Sequence, residues 1–199
     1  MIDGYILTGG ASRRMGRDKA TIDIDGLSMA ERIAANLGPV VRKLYTVGDV
    51  EIGGLESIPD NTGFEQKVKS SLAGLVSALR HARTEWIFVV ACDMPFVTAE
   101  FFQFLAATIG HGKSAVVPTD VDGRIQPTCS LYRAADCLAK AETALANDRH
   151  SLRKLLAEIE MQVVPFERVS GLSGSARLFV NVNTPEDLAE AKQLIQEHK

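Results

Sequence analysis

An α/β fold, built on a mostly parallel sheet covered on both faces, is predicted from this 199-residue sequence by three observations. Short apolar, strand-like runs alternate with amphipathic, helix-like segments along the whole chain. The run WIFVVA at Trp86–Ala91 is aromatic, β-branched and apolar on both faces, as a strand enclosed on both sides must be. The composition, 46% hydrophobic and 24% charged without low-complexity runs, is that of a globular chain long enough to bury a core as one domain over 1–199.

The elements follow in order. Residues 4–8 read as a short buried strand entering a glycine-rich loop, and Met29–Leu37 as a helix stopped by Gly38-Pro39. Residues 43–47 form a second strand, and LESIPD closes on Asp60. Leu72, Leu75, Val76 and Leu79 recur at helical spacing over 71–82. Beyond Trp86–Ala91, Thr98 begins a helix with Glu100 in its first turn, 114–118 returns as a strand, and 128–132 is a strand after the Asp122-Gly123 turn. Ala134–Ala146 and 151–159 are helical, 161–166 is extended, and SGLSGS at 170–175 is a mobile loop by composition. Residues 179–182 are expected as the last strand. Thr184-Pro185-Glu186-Asp187 then opens a C-terminal helix, with an N-cap, a proline at the first helical position and acids near the positive end of the dipole.

Charge and cysteine usage exclude several classes. A formal net charge of −3 argues against a general nucleic-acid binder, which needs a basic surplus to neutralise phosphates. The apolar run at 87–92 is far short of the roughly 20 residues of a membrane-spanning helix. The start, MIDGYIL, lacks the pattern of a signal peptide, so no membrane association and a cytoplasmic location are expected. Cys92, Cys129 and Cys137 are odd in number and far apart, which indicates neither a disulfide framework nor a zinc site. His81, His111, His150 and His198 show no ligand spacing and are expected at the surface.

In a mostly parallel sheet, ligands sit at the carboxyl ends of strands. That rule gathers three segments on one rim: the loop after Leu7, the Cys92-Asp93-Met94-Pro95 turn, and Asn181-Val182-Asn183. The loop LTGGASRRMGRDK has the parts of a phosphate cradle, because glycines let backbone N–H groups face one concavity and Arg13, Arg14, Arg17 and Lys19 add positive charge. It is neither a Walker A loop nor G-x-G-x-x-G, and the plainer reading is a glycine-rich connection with a solvated basic face. Asp93, directly after a buried strand, is placed to hold a divalent cation against phosphates, or else to cap the Thr98 helix or a turn. Asp60 is a weaker acid of the same type, or forms a turn with Asn61. Asn181 and Asn183, two residues apart on a strand end, would share a face and could bind a metal's water shell, a ribose or a phosphate; Asn183 could instead serve the turn before Thr184.

Together these residues resemble a known family. LTGGASRRMGRDK is similar to the signature L-x-G-G-x-S-x-R-M-G-x-x-K of the molybdenum cofactor guanylyltransferases (MobA), nucleotidyltransferases that attach GMP to molybdopterin. The resemblance continues in VVACDMPF at 89–96, RIQPTCSLYR at 124–133 and FVNVNTPEDL at 179–188, in the family's order. It implies a Rossmann-like three-layer α/β sandwich of nucleotidyltransferase type. It further implies nucleotide contacts at Leu7, Thr8, Gly9 and Gly10, phosphate neutralisation by Lys19, a nucleotide-pocket position for Asp60 and magnesium on Asp93. Arg13, Gly16, Asn181 and Asn183 match further active-site positions of the family. GTP and molybdopterin are the implied substrates, and molybdenum cofactor biosynthesis or acceptor proteins the implied partners. The Gly9-Gly10 doublet favours guanine over relatives that use CTP. At one place the chain departs from the pattern: Ser70-Ser71-Leu72-Ala73-Gly74 stands where the family usually shows Gly-Pro-Leu-x-Gly.

The expected reaction is attack of the terminal phosphate of molybdopterin on the α-phosphorus of GTP, with pyrophosphate leaving. Arg13, Lys19 and the loop amides would serve the leaving group. Two other readings stand beside it: a related nucleotidyltransferase that uses CTP or acts on a sugar or polyol phosphate, and a nucleotide-binding or interaction module without catalysis.

Overall fold

In the computed structural model, which describes residues 1–9, 18–60 and 70–196, the alternating segments become a seven-stranded sheet with helices on both faces. The first half of the chain forms β1 (Ile2–Leu7), a hairpin of β2 (Asp23–Ile24) and β3 (Leu27–Ser28), α1 (Met29–Leu37), β4 (Leu44–Val47) and β5 (Glu56–Ile58). Then come α2 (Ser71–His81), β6 (Trp86–Ala91), α3 (Ala99–Ala107), β7 (Ala115–Pro118) and β8 (Cys129–Arg133). The chain ends with α4 (Ala134–Ala146), α5 (Leu152–Leu156), β9 (Met161–Val164) and α6 (Pro185–Gln196). The sheet order is β5-β4-β1-β6-β8-β7-β9, and β8 alone runs against its neighbours.

Alternation along each strand decides which core its side chains enter. Tyr5 and Leu7 of β1 and Ile87 and Val89 of β6 face α2, α4 and α5. Ile6, Phe88 and Val90 point the other way, towards α1 and α3, where the Phe88 and Phe102 rings meet edge to face at 5.3 Å. Burying each such side chain contributes about 1.5–3 kcal/mol, so both sheet faces must be covered for the apolar strands to be stable. Helix starts are set by local chemistry. Ser28 and Glu31 form a reciprocal capping box for α1, and the Thr98 hydroxyl accepts from Phe101 N–H to open α3. At the departure from the family pattern, Ser70 caps α2 by accepting from Ala73 N–H at 3.1 Å. The helix therefore begins without the proline.

Three expectations are corrected. No strand forms at 179–182. The chain arrives there from a 3₁₀ turn at Ser175–Arg177, and Val182 N–H donates to the Asp93 carbonyl at 2.9 Å beyond the end of β6, where no ladder is available to extend. Val182 is instead buried in a small cluster with Ile24, Met29 and Ala191. The 170–175 loop is fastened: Ser173 N–H donates to Glu100, and the Ser175 hydroxyl donates to the Ser170 carbonyl at 2.7 Å. His81 is half-buried between α2 and the sheet; His150 is partly exposed, His111 is exposed, and His198 lies outside the described residues. The β2–β3 hairpin turns on Asp25-Gly26 at φ +56° and +85°, the primed turn that Asp-Gly favours. Among the described residues, no helix is long and apolar enough to cross a membrane.

Candidate active site

Strand register builds the site. Leu7 pairs with Val47 on one side and Ala91 on the other, and Val47 pairs with Ile58, so β1, β4, β5 and β6 end at one level. The residues just past those ends, Thr8-Gly9, Gly48, Asp60 and Asp93, share that rim. Because β8 is reversed, its entry at Pro127-Thr128 joins them: Ala91 N–H donates to the Thr128 carbonyl at 2.7 Å.

Thr8 is locked twice, its N–H and its hydroxyl both reaching the Val47 carbonyl at 2.9 Å. Gly48 makes this packing possible. A Cβ there would sit 2.7 Å from Thr8 Oγ1 and 2.9 Å from Gly9 N, and its φ of +126° is hostile to other residues. Gly48 was not singled out in the sequence, although a glycine directly after a strand is the signal for such a close approach. On the other side of the loop, the position of a Gly9 Cβ lies 3.4 Å from Asp60 Oδ2, and Ser77 of α2 makes a long 3.5 Å hydrogen bond to Asp60 Oδ1. Asp60 and Gly9 are thus brought together, with α2 seated against Leu7 through the missing side chain of Gly74.

Lys19 opens a 3₁₀ turn, Lys19–Thr21, capped by Asp18, and its ammonium donates to Asn183 Oδ1 at 2.6 Å across 164 positions of sequence. Asp93 is half-buried, but its Oδ1 is enclosed and has no hydrogen-bond partner among the described residues. Burial pushes the Asp93 carboxyl above the usual carboxylate range, while the nearby Lys19 charge pulls it back. An enclosed carboxylate oxygen without a donor, at a strand's carboxyl end, suits an oxygen-seeking divalent cation such as magnesium, which needs few protein ligands. Asp93 does not cap the Thr98 helix, since Thr98 performs that task itself. The neighbouring Cys92 thiol is pushed up to about 12 by burial, with the Asp93 charge adding to the effect, and is therefore a packed apolar group.

Of the paired amides, Asn183 holds Lys19, while Asn181 Nδ2 donates to the Phe179 carbonyl at 3.0 Å. Asn183 also serves the turn before Thr184: its backbone N–H donates to Asp187 at 2.7 Å. Gly10, Arg13 and Gly16 lie outside the described residues, as do Arg14, Arg17 and the 61–69 segment. A cavity of about 230 Å³ lies on the Thr128 side of the rim, lined by Ser71, Thr128, His150, Ser151 and Arg153 among others.

A mostly parallel sheet whose carboxyl rim gathers the fixed start of a glycine-rich segment, a tethered lysine and an acid with an enclosed oxygen defines an α/β protein of the kind whose ligands sit at strand ends. Residues 4–163 match the family described as the MobA-like NTP transferase domain, and the chain belongs to that family of nucleotidyltransferases. A probable molybdenum cofactor guanylyltransferase from Pelotomaculum thermopropionicum is 30% identical over 197 residues, covering 97% of this chain and 93% of the relative. Another protein of that description, from Bacillus cytotoxicus, is 28% identical over 195 residues and 95% of each chain. Among solved structures, the molybdopterin-guanine dinucleotide biosynthesis protein A of Archaeoglobus fulgidus superposes with a TM-score of 0.82 at 24% identity, covering 98% of this chain and 99% of that one. That likeness establishes the three-layer fold.

Proposed function

We propose that this protein transfers GMP from GTP to molybdopterin, releasing pyrophosphate and forming the guanine dinucleotide cofactor. The observation that supports the reading is that Lys19, tethered to Asn183, lies near enough to Asp93 for its charge to act on that carboxylate, one oxygen of which is enclosed and meets no donor among the described residues. The description of the relatives as probable molybdenum cofactor guanylyltransferases suggests the nucleotide and the acceptor.

In this reaction an oxygen of the acceptor's terminal phosphate forms a bond to the α-phosphorus of GTP. The bond from that phosphorus to the bridging oxygen breaks, and its electron pair leaves with pyrophosphate. A phosphate monoester is already ionised at neutral pH, so the chain need not remove a proton from the nucleophile. Its work is alignment and charge neutralisation, the main contributions in phosphoryl transfer generally. Thr8 and Gly9 would present backbone to the nucleotide, with Thr8 held in place by the Val47 carbonyl. Asp60, steadied by Ser77, stands in the nucleotide pocket. Lys19, with Arg13, neutralises charge that moves onto the leaving pyrophosphate. Asp93 would hold magnesium, which supplies further neutralisation of phosphate oxygens when bound. Molybdopterin would enter from the Thr128 side, where Arg153 and His150 border the cavity.

Thermal unfolding with magnesium and each of GTP, CTP, ATP and UTP tests the reading. At a hundredfold excess over its dissociation constant, a nucleotide that binds the folded state alone stabilises it by about 2.7 kcal/mol. That corresponds to a rise in Tm of roughly 5–10 °C for a chain of this size. A shift selective for GTP and lost in Lys19→Ala is expected, followed by pyrophosphate release once molybdopterin is added. Selectivity for CTP would transfer the protein to a sibling activity. Binding without pyrophosphate release in the presence of molybdopterin would reduce it to a nucleotide-binding module.

A further inference from the structure

The tether on Lys19 is itself anchored. Asn183 Oδ1 accepts from Lys19 Nζ at 2.6 Å, and the backbone N–H of Asn183 donates to Asp187 Oδ2 at 2.7 Å. The same Asp187 oxygen accepts from Thr184 N–H at 2.9 Å, while the Thr184 hydroxyl accepts from Asp187 N–H at 3.1 Å. In a capping box the acid at the third helical position answers the N–H of the cap residue. Here it also answers the residue before the cap, a bond that the helix start does not require. Its effect is to fix the backbone of Asn183, and so the direction in which the amide oxygen faces. One residue earlier, Val182 N–H is bound to the Asp93 carbonyl at 2.9 Å. The segment is therefore pinned on both sides of the amide that holds Lys19.

We propose that Asp187 is a positioning residue of the phosphate site: by clamping the backbone of Asn183, it aims the Lys19 ammonium at the leaving pyrophosphate. The inference rests on the reading of Lys19 as the group that neutralises nucleotide phosphates. It accounts for the second carboxylate bond, which a purely structural cap leaves unexplained. Hydrogen bonds from Asn183 and Thr184 hold the Asp187 carboxyl below its ordinary range, and Lys19 is near enough to act in the same direction, so the clamp is ionised at neutral pH.

The test is a double-mutant cycle on the affinity for inorganic pyrophosphate in magnesium-containing buffer, a probe that does not depend on the choice of base. Asp187→Ala should weaken pyrophosphate binding about fivefold in the wild-type background and by less than about twofold in Lys19→Ala, as coupled groups do. Asp187→Glu should restore affinity. Thr184→Ala, which removes the hydroxyl half of the cap but leaves the clamp, should lower Tm while leaving affinity near wild type. If Asp187→Ala does not fold, Asp187→Leu, which keeps the bulk but offers no acceptor oxygen, takes its place in the cycle. Equal losses in both backgrounds, equal losses in Thr184→Ala and Asp187→Ala, or no loss at all would each overturn the inference. Pyrophosphate binding indifferent to Lys19 would overturn it together with the phosphate role of Lys19. An intact cycle without GTP selectivity would support the clamp and remove the guanine assignment alone.

Discussion

Asp93 shows how one side chain can be costly to the fold and still suit the proposed site. An enclosed carboxylate oxygen that meets no donor among the described residues is unfavourable wherever neither a hydrogen bond nor a cation reaches it, because burial removes its hydration. Asp93→Asn removes the charge at nearly constant volume. In chelator at neutral pH that variant is expected to melt no lower than the wild type, whereas in magnesium it should lose the cation-dependent gain in Tm. Turnover should fall about a thousandfold or more, corresponding to several kcal/mol of lost charge stabilisation. Calorimetry with and without magnesium, beside a pyrophosphate-release assay, checks both arms. Wild-type turnover in the variant would take the metal off Asp93. In the sequence, an acid after a buried strand was enough to single out Asp93; the enclosure of one of its oxygens was not legible, because it arises from segments far apart in the chain.

Helix α2 carries a second titrating device, remote from the rim. His81 in its last turn meets the Tyr45 ring edge-on at 4.6 Å, and its Nδ1 is hydrogen-bonded to the Tyr5 hydroxyl at 3.1 Å, joining the helix to β1 and β4. Burial holds the imidazole below its ordinary value of about 6.5, Arg83 and Lys43 act in the same direction, and Glu56 and Asp3 oppose them. Its folded pKa being below the unfolded one, the unfolded chain takes up the proton first. The contribution to stability is therefore complete above the unfolded pKa and is lost as pH falls through the folded value. Denaturant unfolding between pH 8 and 5 should show stability declining on the acid side, with a shallower decline in His81→Phe. Equal slopes in the two proteins would mean that His81 does not titrate in this way. At this scale the elements with strong local signals, α1, β6 and α4, were legible to the residue, because capping groups and unbroken apolar runs are local properties. The expected strand at 179–182 failed for the opposite reason: FVNV has strand-like residues, but pairing needs a neighbour, and the chain passes beyond the end of the sheet.

Across the whole molecule, the reversed strand β8 links the core to the rim. Tyr132 is fully buried, and its hydroxyl donates to the Pro127 carbonyl at 2.6 Å, fastening the loop that enters beside Asp93. Tyr132→Phe leaves that carbonyl without this donor and should cost about 1 kcal/mol. Scanning calorimetry should register this as a fall in Tm of about 2–4 °C. Unchanged Tm would mean that solvent replaces the bond freely. The chain's own order of residues determined the α/β class, the positions of most helices and strands, and the rim segments that hold the glycine loop, Asp60, Asp93 and Asn183. Most of those follow from periodicity, caps and the placement of polar residues at strand ends, which are properties of neighbours in sequence; Asn183 was reached through an expected strand that does not form, and it meets Lys19 by tertiary contact. Tertiary structure alone decided that β8 is antiparallel, that Gly48 makes room for Thr8, that Asn181 and Asn183 take different hydrogen-bond partners, and that Asp187 binds the backbone of the residue that holds Lys19. Those outcomes depend on distances between residues up to 164 positions apart, and such distances are set by the packing of two cores against one sheet.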